Sequence, residues 1–347
     1  MGLLSKLLGS ISGNNDMKVS EQLLFDKVIG FRNIVPGCGA STIVQNIAIA
    51  LSEKTKFNIC ILDTNFLYPV QYPLLCNTDL KAKEPDILDF AGDLSVISRN
   101  TSYANVYLVQ LENRTIIDLL SGKDAESIIP KLMATLKSYF DIVIVDLSYE
   151  LSNISTYSAI KCNKIYQVAD TSMKCLYYIK KSLNSMVTLG VPLAKGNKVI
   201  LNKELDDVVL GVDTALQEAG LTVVTRIPFS YDLAVSGASG KRIYGAMSKS
   251  KDISSFNVAI EDIIKDMLEK TPLNSEYMDV AKELAKMEKA QEETKKASEG
   301  FVEEYEDSGE YMIEELPDLD EEESIEKHTD TSVSSSNINL NKDEVSE

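Results

Sequence analysis

"VIGFRNIVPGCGASTIVQNIAIAL", residues 28–51, decides how the chain is read. A β-rich run, "VIGFRNIV", passes through a glycine-containing turn, "PGCGAST", into the apolar helical pattern "TIVQNIAIAL". Strand, tight turn and helix start, in that order, make the corner that a phosphate cradle needs. Gly37 and Gly39 let the backbone turn sharply and aim N–H groups inward. The first helical turn adds unpaired N–H donors and a partial positive charge. Ser41, with Thr42 beside it, stands where the hydroxyl of a phosphate loop ligands Mg²⁺. Ala40 occupies the place of the lysine that normally reaches the phosphates, so the loop alone is a weak signal. Cys38 reads as a small space-filler beside the phosphates, with nothing nearby but the helix terminus to lower its pKa.

Outward from this corner the pattern alternates. Further β-rich runs are "FNICILD", "NVYLVQL", "FDIVIVDL", "KIYQVAD", "NKVILNK" and "LTVVTRIPF". Helical patterns cover residues 41–54, 125–138, 152–162, 172–189 and 207–219. Strands apolar on both faces and separated by helices predict an α/β fold: a mostly parallel twisted sheet with helices on both faces. In such sheets ligands bind beyond the carboxyl ends of the strands. Asp63, Asp146, Asn202, Pro228 and Phe229 all stand at those ends. A plainer reading has the aspartates ending strands or capping helices, and Asn202 as a turn residue.

The boundaries expected are an N-terminal amphipathic helix and linker over 1–26, a nucleotide-binding domain over 27–272, a charged C-terminal helix over 273–298, and a disordered acidic tail over 299–347. Leu3, Leu4, Leu7, Leu8 and Ile11 share one helical face, which suits docking on the body or a weak membrane contact through residues 1–11. Of the formal charge of −18, residues 301–347 hold −15, with 17 acidic residues and two lysines. The body is therefore nearly neutral. The stretch 301–326 mixes Tyr311, Met312, Ile313, Leu316 and Leu319 with carboxylates. It reads either as a solvating tail or as a segment that docks on a protein partner.

Composition excludes some chemistry. The single histidine, His328, lies in the tail, so a His-based triad or His-rich metal site in the body is ruled out. Five cysteines without C-x-x-C spacing read as free thiols in a reducing cytosol. No apolar run approaches a membrane span, and "MGLLSKLLGSISG" lacks the basic front and long apolar stretch of a signal peptide.

The ordered set of strand-end residues over roughly 27–270 resembles the ParA/MinD family of deviant Walker ATPases, whose loop runs K-G-G-x-G-K-[ST]-T. On that pattern Val35 replaces the signature lysine, Pro36 the first glycine and Ala40 the phosphate lysine; Gly37, Gly39, Ser41 and Thr42 match. The altered loop is most similar to the TadZ/CpaE-like branch, which positions pilus or secretion machinery. The resemblance implies ATP and Mg²⁺ as ligands. Ser41, Asp63 and Asp146 would hold the metal, partly through water. Asn65 would order the attacking water, Asn202 would read adenine, and Pro228 and Phe229 would flank the base. It also implies a homodimer. With both lysines gone, hydrolysis is expected to be very slow unless Arg32, Lys241 or Arg242 substitutes. The expected function is a nucleotide-dependent positioning or assembly factor. Alternatives are a DNA-partition ATPase, for which "SGASGKRIYGAMSKSK" is a local basic patch in an otherwise neutral body, and a pseudo-ATPase scaffold.

Overall fold

The computed structural model describes residues 27–65, 69–76, 94, 98–110, 123–150, 152–205, 209–239, 242–246, 250–284, 286–287 and 290. The expected helix at 1–11, the docking segment 301–326, the tail from 299 and Lys241 lie outside the described residues. The chain divides into two units, Met1–Lys289 and Ala290–Glu347, and of the second only Ala290 is described. The sheet and all of the helices below belong to the first unit.

Its strands are β1 (Val28–Asn33), β2 (Ile59–Asp63), β3 (Ser98–Asn100), β4 (Val106–Gln110), β5 (Ile142–Leu147), β6 (Lys164–Ala169), β7 (Lys198–Glu204) and β8 (Thr222–Pro228). They form one sheet in the order β3-β4-β2-β5-β1-β6-β7-β8. Every pairing is parallel except that of β3 with β4, which is antiparallel at one edge. The seven parallel strands are those predicted from the apolar runs. The short β3 is an addition to them, because "SRN" carries no apolar alternation for a sequence pattern to detect.

The helices are α1 (Ala40–Lys54), α2 (Gln71–Leu75), α3 (Lys123–Tyr139), α4 (Asn153–Lys161), α5 (Met173–Thr188), α6 (Val209–Glu218), α7 (Tyr231–Ala238) and α8 (Lys251–Leu268). Serines 152, 172 and 230 cap α4, α5 and α7, each accepting a backbone N–H three residues on. One core joins Phe31, Ile59 and Ile144 to Ile43 and Ile47 of α1 and Ile260 and Ile263 of α8. The other joins Val28, Val143 and Val145 to Ile129 and Leu136 of α3 and Ile154 of α4. Helices thus cover both faces, which is why β1, β2 and β5 read as continuous apolar runs.

Residues 273–284 are helical, and Tyr277 within them is fully buried in the first core. This part of the charged helix therefore lies along the body and does not project from it. α8 is tied to the sheet by Asp266, which accepts from Lys198, Tyr166 and Lys164.

Candidate functional site

The corner predicted from residues 28–51 is present. Gly37 and Gly39 adopt φ of 93° and 102°, the left-handed region that disfavours any side chain. Gly39 is the N-cap of α1, and its carbonyl accepts the first helical bond from Ile43 N at 3.1 Å. Three side chains from the flanking strands hold the loop. Asn202 Nδ2 donates to Cys38 O at 2.7 Å, and Lys203 Nζ donates to Gly37 O at 2.7 Å. Asn33 Oδ1 accepts from Ala40 N at 2.9 Å. The loop faces a cleft of about 590 Å³, lined on the loop side by Gly37, Gly39, Ser41 and Thr42 and on the far side by Pro228 and Phe229. Phe229 is 53% exposed there, while Asn202 lies deeper, buried against the loop. Val35, in the place of the signature lysine, is buried in the first core and cannot reach outward. Ala40 is buried as well.

The two aspartates are direct neighbours in the sheet. β2 lies beside β5 in a register that sets Asp63 against Asp146. Both are buried. Burial, then the charge of Asp146, pushes the Asp63 carboxyl up to about 7, against the hydrogen bonds from Asn65 and Gln71. Burial raises Asp146 too, opposed by hydrogen bonds with the side chains of Gln71, Ser41 and Asn65. Two carboxylates this close and this dry cannot both carry charge cheaply. Asp63 also organises the chain after β2. Its Oδ1 accepts from Asn65 N at 2.9 Å and Asn65 Nδ2 at 2.7 Å, and its Oδ2 accepts from the amides of Val70 and Gln71 at 3.2 Å. Asn65 is thereby turned onto Asp63.

Gln71 escaped the sequence reading. It is fully buried, and its Nε2 donates to Asp146 Oδ2 at 2.8 Å and to Ser41 O at 3.1 Å. Its Oε1 is buried without a hydrogen-bond partner. "PVQYPLL" offers no signal that its glutamine would point inward; only the fold brings it between the phosphate loop and β5. The donor set is rich in oxygen: the Ser41 hydroxyl, two carboxylates and an orphaned amide oxygen. That is the chemistry a hard divalent cation such as Mg²⁺ takes, directly or through water.

The substitute cations resolve differently from expectation. Arg32 points away from the loop, donating to Ser182 Oγ and the Tyr149 carbonyl. Arg242 is paired with Glu53 at 2.6 Å and bonded to Gly245 O. Neither is on the loop, whereas Lys203, which sequence reasoning passed over, touches it. Lys203 holds φ of 56° beside a register irregularity between β7 and β8, and this bend carries its side chain back over Gly37. Its position directly after Asn202 was the available signal. The reading of Cys38 also needs correction. Its thiol lies with Cys175 and Asp170, the three ligand atoms within 4.8 Å of one another. A hydrogen bond from Cys175 lowers the Cys38 pKa despite burial, so the helix terminus is not the only influence.

No protein-family model matches the chain, and no curated protein matches it. Solved structures do. A ParA family ATPase from Chlorobium tepidum superposes with a TM-score of 0.58 at 20% identity, covering 68% of this chain and 99% of that one. MinD from Pyrococcus horikoshii, complexed with Mg-ADP, gives 0.56 at 17% identity, covering 71% and 99%. A Cyanothece McdA variant in complex with ATP gives 0.56 at 16% identity, covering 70% and 96%. The body of this chain has the fold of the ParA and MinD ATPases.

Proposed function

We propose that the chain binds ATP with Mg²⁺ in the cleft between the phosphate loop and Phe229, turns it over slowly at most, and acts as a nucleotide-dependent dimeric positioning or assembly factor of the TadZ/CpaE-like kind. The observation that carries this reading is a preserved cradle without its cation. The left-handed glycines and the first turn of α1 beyond Ala40 keep backbone donors at the corner, while Ala40 and Val35 supply no charge. Backbone amides and a helix N-terminus can grip phosphates without an ammonium group. A bound Mg²⁺ would neutralise phosphate charge there. Ser41, Asp146, Asp63 and the free Gln71 oxygen are the groups to hold it. Pro228 and Phe229 suit an apolar base, and Asn202 stands at the inner end of the same cleft. Hydrolysis lacks a strong base, because Asn65 can orient water but takes up no proton, and loss of one well-placed cation costs about a thousandfold in rate. The structural neighbours are ParA, MinD and McdA proteins, and their shared fold supports the class.

A second reading, a pseudo-ATPase scaffold, is favoured by one observation. The Ala40 amide, which a phosphate would need, is already bonded to Asn33. Fluorescent ATP titration with magnesium, on the native protein and on Ser41→Glu, separates the two. Saturable binding lost in the variant supports the nucleotide site; equal, negligible binding in both leaves the scaffold.

A further inference from the structure

Arg32 is only 2% exposed, yet it has no anionic partner among the described residues. It alternates with Phe31 along β1. Phe31 stacks on Tyr166, and Arg32 leaves the opposite face toward α5 and the loop after β5. Nη1 donates to Ser182 Oγ at 2.7 Å and Nη2 to Tyr149 O at 3.3 Å, while the guanidinium lies 5.8 Å from the Tyr149 ring centroid. These acceptors are neutral. Nε is buried with no acceptor at all, and no described carboxylate forms an ion pair with the group. Burial drags the guanidinium down to about 10, with only the Tyr149 charge opposing. A buried cation without a counter-charge is costly, and proteins normally pair it.

The guanidinium lines a pocket of about 270 Å³, walled also by Ile34, Tyr149, Glu150, Tyr178, Lys181, Ser182 and Ser185. Lys181 contributes a second cation, packed 5.5 Å from the Tyr178 ring centroid, and no described carboxylate pairs with it. Glu150 is the one carboxylate on the wall, and its Oε2 accepts from Ser148 Oγ at 2.7 Å instead. The Ser182 hydroxyl accepts from Arg32 and keeps its own proton to donate, whereas the Ser185 hydroxyl donates to Lys181 O at 2.9 Å. The pocket shares no lining residue with the nucleotide cleft.

We propose that this pocket is an oxyanion site, taking one carboxylate or phosphoryl group against the Arg32 guanidinium, with Lys181 at its rim. A planar guanidinium suits either group, since both present two oxygens at matching spacing. The proposal does not rest on the nucleotide reading.

The test is thermal unfolding of the full chain while inorganic phosphate, or separately acetate, replaces chloride at matched ionic strength. It is run in the Ser41→Glu background, where the introduced carboxylate repels anions from the phosphate loop. A saturable rise in melting temperature is expected with at least one anion. Response to acetate alone identifies a carboxylate as the natural occupant; response to phosphate alone identifies a phosphoryl group. Adding Lys181→Met, an exposed change that leaves the core intact, is expected to weaken the apparent affinity about tenfold, the loss of one charge-assisted contact. Adding Arg32→Met is expected to abolish the response and to raise the melting temperature in chloride, by removing the uncompensated charge. No anion-dependent shift in the Ser41→Glu protein, or an unchanged response with Lys181→Met, would overturn the proposal.

Discussion

Single residues decide what the phosphate corner can do. On the proposed reading, Ala40 leaves the cradle without an ammonium group. Ala40→Lys is expected to tighten ATP binding by about 1.5–3 kcal/mol, roughly ten- to a hundredfold, the range of a charge-assisted hydrogen bond. Isothermal titration with and without magnesium checks this; unchanged affinity would mean that phosphates do not lie against α1. Gly39 tests the backbone. An added Cβ would sit 2.4 Å from Asn202 Nδ2, at a φ of 102°. Gly39→Ala should cost about 1–3 kcal/mol and weaken nucleotide binding as the loop shifts. The contrast is Gly211, in α6, where an added Cβ meets nothing within 4 Å. Gly211→Ala should stabilise by about 0.5–1 kcal/mol, because alanine loses less backbone entropy than glycine on entering a helix. Denaturant melts that show equal effects for both glycines would remove the argument for a strained corner. Residue-scale legibility was uneven here. The glycines were readable because only they tolerate such φ values. Gln71 and Lys203 were not, because nothing local distinguishes an inward glutamine or a back-folded lysine from solvated ones.

At the scale of elements, seven strands and the helices α1, α3, α4, α5 and α6 follow the sequence patterns closely, since a strand buried on both faces leaves an unmistakable pattern, whereas the short α2 was not foreseen. Ser152 and Ser172 proved to be the caps that start α4 and α5, one residue ahead of each helix. The attachment of α8 was not legible. Asp266 gathers Lys198, Tyr166 and Lys164 from two strands far away in sequence. Burial alone would raise its pKa, but the bonds from Lys198 and Tyr166 and the lysine charges outweigh burial and hold it below the usual carboxylate range. A depressed carboxylate pKa means that its stabilisation is present above the unfolded value and is lost as pH falls through the folded one. Acidification below about pH 4 should therefore loosen α8. Asp266→Asn is expected to cost about 2 kcal/mol at neutral pH, less than the 3–5 of a fully buried pair, and to flatten the acid limb of the melting-temperature profile. A variant with the native acid limb would show that Asp266 does not set it.

For the whole molecule, ligand linkage is the direct measure. If the native state alone binds Mg-ATP, nucleotide at a hundred times its dissociation constant should add about 2.7 kcal/mol, or roughly 5–10 °C for a body of this size. Sedimentation with ATP and with ADP then reads the expected dimer; a monomer with both would leave nucleotide binding intact but end the dimeric model. A partition ATPase would instead bind DNA with steep salt dependence. The near-neutral body predicts no gel shift at low salt, and a strong shift would favour the partition reading. No described helix is long and apolar enough to cross a membrane.

From the sequence by itself came the α/β class, the parallel order of strand and helix, the glycine corner after β1 and the absence of lysine from it, because periodicity, glycine placement and an absent charge are local properties. Only the tertiary structure decided that Asp63 stands beside Asp146, that Gln71 joins the loop to β5, that Cys38 meets Cys175, and that Lys203 and not Arg32 touches the loop. Those contacts join residues dozens to more than a hundred and fifty positions apart, and their proximity is set by strand order and register, which no short window of sequence contains.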